Sequence, residues 1–378
     1  LTSSLSSAEP TGTFDAVGDI PSRPGTPDAA GDRNPVPGRA HCPRLETTAP
    51  ARVECPRLET TAPARADRPP TLVCMTSDAY HGHPSTTLGC PSSPGGVTGP
   101  IGPAGRDPLP LVGRTVLVTG VSRRIGIGHA IACRAADYGA SIIAHHYRPH
   151  DASQPWGADN IDAVMDSIRT HLVGPARLID IPADLAALGE PARVVEQAAA
   201  AAGHLDALVC NQAMSSPDGL LSEMTEAVLD AHWAVDARAS ILLAQAFAAQ
   251  EGFASPAPAG SARRRGSIVF LTSGQGLGPL PGEIAYAAAK AAIAGLTLTI
   301  SDELIDAGIT VNTVNPGPVD TGYVTEADRE ATAVMFPQGR WGEPDDAARL
   351  ITWLLTDEAR WITGQVINSE GGFARWRH

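Results

Sequence analysis

Tyr286 and Lys290 lie four residues apart, and their types and spacing could carry acid–base chemistry. Of 28 lysines and arginines only residue 290 is a lysine, so a chain that otherwise meets its need for positive charge with arginine departs from that habit once. Arginine is a broad planar fork, whereas lysine is a compact charge on a flexible stem that can sit against a reacting hydroxyl. Four residues is about one helical turn, which places both side chains on one face. A tyrosine hydroxyl has a pKa near 10, and acid–base work near neutral pH asks for a shift of about 3 units, or roughly 4 kcal/mol. A unit charge about 4 Å away at an effective dielectric of about 20 supplies that amount. Taken alone, the two residues are equally readable as neighbours on a solvated helix face.

Two further features favour the chemical reading. Ser273 stands 13 residues before Tyr286, after the apolar run Ser267–Thr272 and ahead of the glycine-rich Gly274–Gly278. Such a run predicts a buried strand, and sites form where strands end. Far upstream, the apolar Thr115–Thr119 is followed by Gly120, then by Gly126, Ile127 and Gly128, then by a helical stretch over His129–Tyr138. In a strand, glycine-loop and helix unit, the glycines let backbone N–H groups approach a pyrophosphate, and the helix N-terminus favours its negative charge.

With these motifs, the chain over about Leu111 to Phe373 resembles the short-chain dehydrogenase/reductase family, and within it the 3-oxoacyl-[acyl-carrier-protein] reductases. The resemblance implies that Tyr286 is the proton donor, that Ser273 holds the substrate carbonyl, and that Lys290 grips the nicotinamide ribose while lowering the tyrosine pKa. It implies a dinucleotide site with Gly120, Ser122, Gly126, Ile127 and Gly128 at the phosphate loop, to which this chain adds Arg123 and Arg124 and, beyond the second strand, Arg148. Asp184 and Leu185 would lie by the adenine, with Asn211 alongside the loop. Pro316, Gly317, Val319 and Thr321, after Asn315, would line the nicotinamide pocket together with Tyr286 and Lys290. A homotetramer or homodimer is implied in the same way.

Three positions depart from the family pattern. Five residues separate Gly120 from Gly126 where three are usual, which lengthens the phosphate loop and adds Arg123 and Arg124. The Asn-Asn-Ala-Gly motif reads Cys210-Asn211-Gln212-Ala213. Asp236 stands where the family carries a catalytic asparagine, so it takes the fourth place in the catalytic set. Its carboxylate either pairs with Lys290, which would oppose ionisation of Tyr286, or bonds only to backbone; the second is expected, because an acid there works against the charge logic of the other three residues.

Cofactor choice follows from charge. An NAD site usually places Asp or Glu about 20 residues past the glycines, whereas arginine accommodates the 2′-phosphate of NADP. After the second strand the chain reads His145-His146-Tyr147-Arg148, with no carboxylate before Asp151. Arg123, Arg124 and Arg148 could approach a phosphate, and NADP(H) is expected over NAD(H).

These residues need a scaffold. Strands are predicted at Thr115–Thr119, Ser141–Ala144, Ala176–Ile179, Asp206–Cys210, Ser267–Thr272, Ile309–Val314 and Gln365–Ile367. Helices are predicted at His129–Tyr138, Asn160–Leu172, Ala192–Ala202, Thr225–Gln250, Ile284–Ala307 and Pro344–Leu355, with a short helical lid over Gly322–Gly342. The alternation predicts an α/β, Rossmann-type doubly wound parallel sheet with helices on both faces and ligands at the strand C-terminal ends. That catalytic domain is expected at 107–378.

Residues 1–106 hold 17 of the 33 prolines and no sustained apolar periodicity, which predicts a disordered low-complexity extension. Cys42–Arg52 recurs word for word as Cys55–Arg65, the mark of a replicated linker or of an upstream extension of the reading frame ahead of Met75. The formal charge is −13. The extension holds 9 arginines and 10 acids, so 19 basic and 31 acidic residues remain for the rest. Only Arg263-Arg264-Arg265 forms a basic cluster, and a nucleic-acid partner is not expected. No uninterrupted apolar run reaches about 18 residues, and a cytoplasmic protein without a membrane partner is expected. Cys42, Cys55, Cys74 and Cys90 fall in the extension, and Cys133 and Cys210 on apolar positions. No metal site is expected, because His145 and His146 are adjacent on a strand and point to opposite faces.

The expected activity is reduction of a ketone, 3-oxoacyl-thioester-like, to a secondary alcohol on a small-molecule carbonyl substrate, free or acyl-carrier-bound. The alternatives are a polyketide-type or xenobiotic ketone on the same fold, and a non-catalytic NADP-binding sensor or scaffold.

Overall fold

The computed structural model describes residues 107–255 and 266–377. The expected extension, its duplicated segment, its four cysteines and Arg263–Arg265 lie outside them. Seven strands run in parallel: β1 (Thr115–Val118), β2 (Ser141–His146), β3 (Leu178–Pro182), β4 (Ala207–Cys210), β5 (Gly266–Leu271), β6 (Ile309–Asn315) and β7 (Val366–Asn368). Their order is β3-β2-β1-β4-β5-β6-β7. Val118 pairs with Ala144 on one side and Val209 on the other. The chain order therefore reverses direction across the sheet between β1 and β4, and the strand ends on either side open a crevice there.

Nine α-helices are described: α1 (Ile127–Asp137), α2 (Arg148–Ala152), α3 (Ile161–Arg169), α4 (Glu190–Ala202), α5 (Glu226–His232), α6 (Ala239–Ala248), α7 (Ile284–Leu304), α8 (Glu326–Thr332) and α9 (Pro344–Leu354). Successive strand residues point to opposite faces, and β1 shows the result. Val116 and Val118 pack with Ile131, Val164 and Ile351 of α1, α3 and α9. Leu117 packs on the other face with Val194, Phe247 and Ile293 of α4, α6 and α7. Each such side chain contributes about 1.5–3 kcal/mol by burial, and the strands at the centre are apolar throughout because both faces are covered.

The predicted elements recur with four differences. The third strand lies at Leu178–Pro182 rather than Ala176–Ile179; it is one of the two edge strands, half exposed, so its apolar pattern is weak. The predicted helix Thr225–Gln250 is α5 and α6 joined by a π turn over Trp233–Arg238. The short α2 was not expected. The predicted lid folds as α8 and a single 3₁₀ turn, Ala333–Met335. Among the described residues, Ile284–Ala307 alone is long and apolar enough by length and composition to cross a membrane. It lies against β6 and the π turn, with Lys290 and Thr297 buried on its inner face.

Candidate active site

A cleft of about 1420 Å³ opens at the C-terminal ends of β1, β2, β4, β5 and β6. Small-molecule pockets commonly measure about 300–1,000 Å³, so this one has room for a dinucleotide and a second molecule.

β5 delivers Ser273 and α7 delivers Tyr286 and Lys290 to one wall of the cleft. The N-terminus of α7 is fixed from outside the helix. Glu283, the residue preceding it, makes no side-chain cap. Asp218, from the loop after β4, accepts from the amides of Ala285 (3.1 Å) and Tyr286 (2.8 Å) instead. Ser273 faces the Tyr286 hydroxyl and acts to lower its pKa. Lys290 is buried; its Nζ donates to the Leu271 carbonyl at 3.3 Å and lies 5.5 Å from the Tyr286 ring centre.

Asp236 stands behind the cleft wall, 1% exposed, at the inner face of the π turn. Its Oδ1 is 3.2 Å from Lys290 Nζ, and its carboxylate accepts from the Met214 amide at 3.3 Å. The expectation that it bonds only to backbone is therefore corrected. A lysine with one buried carboxylate within reach pairs with it, because neither charge has water to turn to. Burial disfavours the Lys290 ammonium, but Asp236 foremost, then Tyr286, hold its pKa above the usual value. Burial raises the Tyr286 pKa, as do Asp236 and Glu283, against the lowering by Lys290 and Ser273. Lys290 acts in the lowering direction expected of it, but the net direction is upward, because burial foremost, with Asp236 and Glu283 behind it, outweighs the lysine.

The altered Asn211-Gln212 motif buttresses this arrangement. Asn211 Nδ2 donates to the carbonyls of Thr119 (3.0 Å) and Gly120 (3.2 Å). Gln212 accepts from the Thr119 hydroxyl and donates to the Val235 carbonyl (3.2 Å) and Ser240 Oγ (2.8 Å). The longer amide thus spans from β1 to the π turn, whose carbonyls lack the ordinary i→i+4 partners.

The dinucleotide end can be tested by space. Gly120 has φ +72°, and a Cβ there would meet Asn211 Nδ2 at 2.9 Å; at Gly317 (φ +70°) a Cβ would meet Glu370 at 2.8 Å. Gly126 precedes α1 with no side-chain cap, which leaves its first amides free for an anion. The residues fit a nicotinamide dinucleotide. Gly120, Ser122, Arg123, Gly126 and Ile127 line the cleft, as do Asp184, Leu185 and Asn211, and as do Pro316, Gly317, Val319 and Thr321. Three expected residues do not. Gly128 packs α1 onto the loop, where a Cβ would meet the Gly120 carbonyl oxygen at 2.5 Å. Arg124 is held by Asp159 at 2.9 Å, and Arg148 is exposed at the start of α2, outside the cleft lining. Asn315 is buried and ties β6 to Asn368 (3.0 Å) and Glu370 (2.8 Å).

Several wall residues were missed. His145 was weighed only as a metal ligand. Its Nδ1 accepts from the Gly120 amide (3.3 Å) and its Nε2 lies 3.0 Å from the Ala183 carbonyl, so the neutral ring braces the loop; burial, chiefly, lowers its pKa to about 4. Asp151, the first carboxylate after the second strand, is brought to the cleft by α2, where it accepts from Ser122 Oγ (2.5 Å) and Trp156 Nε1 (3.3 Å). Arg123 stacks over Trp156 (5.6 Å) and donates to the Thr321 carbonyl (2.7 Å), crossing the cleft. His232 is buried beside Asp236, and its spacing of four from that residue was the readable signal.

Residues 120–374 match the family described as enoyl-(acyl carrier protein) reductase. An uncharacterized oxidoreductase, YjdA of Bacillus subtilis, is 40% identical over 265 residues, which span 69% of this chain and 97% of that one. The 3-oxoacyl-[acyl-carrier-protein] reductase FabG of Thermotoga maritima is 32% identical over 265 residues, 69% of this chain and 98% of its own. Among solved structures, a short-chain dehydrogenase from Burkholderia cenocepacia in complex with NADP superposes with a TM-score of 0.58 and 32% identity, over 69% of this chain and 98% of the other.

Proposed function

Because the chain belongs to the short-chain dehydrogenase/reductase family and is thereby an oxidoreductase acting on the CH–OH/C=O pair, we propose that it reduces a ketone, 3-oxoacyl-thioester-like, with NADP(H) and with Tyr286 as proton donor. The observation that carries this reading is the convergence of the Ser273 and Tyr286 hydroxyls on one wall of the cleft with the Lys290 ammonium behind them. A substrate carbonyl oxygen accepts from both hydroxyls, which orients it and draws charge onto oxygen. A dinucleotide would be held by its phosphates along Gly120–Gly126 and by its nicotinamide at Pro316–Gly317, where it would supply the hydride. Tyr286 gives its proton to the developing alkoxide, and its raised pKa keeps it loaded with that proton throughout the neutral range. Lys290 stabilises the tyrosinate left behind. The NADP complex of the Burkholderia relative and the position of Arg123 across the cleft support NADP(H).

A second reading of the substrate has its own observation. Tyr323, Met335, Trp341 and Phe373 line the cleft beyond Tyr286, and Trp341 and Phe373 both pack on Phe336 with ring centres at 4.9 Å. Such a wall suits a flat polyketide-type or xenobiotic ketone. A panel of 3-oxoacyl thioesters and aromatic cyclic ketones, followed by NADPH absorbance, tests both. Turnover that vanishes in Tyr286→Phe is expected. Tight NADPH binding with no turnover on any carbonyl would replace the enzyme with the sensor reading. A homotetramer is part of the same proposal, supported by the exposed Leu298, Trp361, Val366 and Trp376 on and beside α7 and β7.

A further inference from the structure

His232 closes α5 one residue before the π turn, and its side chain is fully buried. Its Nε2 lies 3.0 Å from the Pro217 carbonyl oxygen, which can only accept, so Nε2 carries a proton. Its Nδ1 faces Asp236 Oδ2 at 3.6 Å and has no hydrogen-bond partner. With Nε2 protonated, Nδ1 has two states. In the neutral ring it is a bare lone pair pointed at a buried carboxylate, an orphaned acceptor against an anion. In the imidazolium it is an N–H facing that anion. Only the second replaces the repulsion by attraction between opposite charges.

We propose that His232 is a positioning residue of the active site: as an imidazolium it balances the charge that Asp236 brings, and so leaves the field of Lys290 available to Tyr286. The proposal concerns the same site and rests on the reductase reading for its consequence in turnover. A neutral amide at 236 would leave Lys290 as the one charge behind Tyr286. Asp236 alone would cancel it. Asp236 with a protonated His232 restores a net single positive charge. The groups facing the ring are Asp236 on its own helix, the Pro217 carbonyl and Asp218 from the loop after β4, and Tyr286 on α7, whose ring stands edge-on at 6.3 Å. Burial disfavours the charged ring, but Asp236, the Pro217 carbonyl and Asp218 outweigh it, and the His232 pKa lies above its usual 6.5. The added proton is therefore present below that raised value and is lost as pH climbs through it.

Two measurements decide this. Nitrogen-15 NMR of histidine-labelled wild-type protein, without substrate, should show both His232 ring nitrogens protonated at pH 7, and a His232 pKa that falls in Asp236→Asn. A neutral Nε2–H ring at pH 7, or a pKa indifferent to Asp236→Asn, overturns the proposal whatever the enzyme's activity. Reduction of ethyl 3-oxobutanoate should then lose about tenfold in kcat at pH 7 in His232→Gln, the effect of about one pKa unit on the proton donor. The same change in an Asp236→Asn background should cost almost nothing. Equal losses in both backgrounds mean that His232 is only packing, and overturn the charge balance. Loss of all activity with the imidazolium intact in the NMR titration instead counts against the reductase reading and leaves the balance standing.

Discussion

Lys290 Nζ sits 3.2 Å from Asp236 Oδ1 and both groups are buried, so the single lysine of the chain is half of an ion pair at the cleft wall, its ammonium 5.5 Å from the Tyr286 ring centre. The pair fixes the lysine in place. It also means that the charge acting on Tyr286 is that of the whole cluster.

Lys290→Arg keeps the charge and widens the head. The guanidinium has no space at a site 3% exposed and would be displaced from the Leu271 carbonyl and from Tyr286. Turnover should fall at least about a hundredfold, as is usual when a group aligned with an acid–base catalyst is misplaced. Steady-state kinetics with unchanged circular dichroism checks it, and near-normal turnover would make the lysine incidental.

Asp236→Asn removes the anion. With it goes the reason for His232 to hold its second proton, and the net charge behind Tyr286 stays the same at neutral pH. Turnover at pH 7 should remain within about threefold, roughly 0.7 kcal/mol. The difference should lie in the pH profile. Wild-type reduction slows as pH rises through the raised His232 value, whereas the variant should lack that limb. Identical profiles would disconnect the carboxylate from proton transfer.

Asp218→Ala uncaps α7. Removing a helix-capping side chain costs about 1 kcal/mol, and here it also frees the amide of Tyr286 itself. Thermal unfolding should show the loss, and kcat should fall more than KM rises. Burial opposes the Asp218 charge, but the amides of Tyr286, Ala285 and Gly219 outweigh it and hold the pKa below 3.8. The cap is therefore complete above that pH and is lost as pH falls through the depressed value. A melting curve of Asp218→Ala that matches wild type at pH 7 would remove this role.

NADPH should bind at least tenfold more tightly than NADH, about 1.4 kcal/mol, and Arg123→Ala should erase most of the difference. Fluorescence titration reads both. Equal affinities in the wild type would transfer the choice to Asp151, which lines the same stretch of cleft.

The sheet and the catalytic wall were legible because their signals are local. Continuous apolar runs mark strands covered on both faces, and Tyr286 and Lys290 share a helix face by spacing alone. The half-exposed β3 carried no such run, and its bounds moved. Asp151 was missed because α2 turns the chain back on itself within a few residues, and no periodicity shows in a helix that short. Arg124 was read as a phosphate ligand, and its partner Asp159 lies 35 residues along. The roles of Asp218 and Gln212 arise from contacts across the sheet ends, which no single segment encodes.

The π turn over Trp233–Arg238 has a geometric cost. An i→i+5 turn admits one residue more than the α ladder holds, which displaces everything after it by about 100° of helical phase. Asp236, within the turn, and Ser240, past it, face inward toward Lys290 and Gln212 in that register. Deleting a single residue ahead of Asp236, such as Ala234, would restore regular helical winding and rotate the carboxylate out of the site with no change to any side chain that takes part in the chemistry. The register of this helix is thus as much an active-site determinant as the identity of its residues.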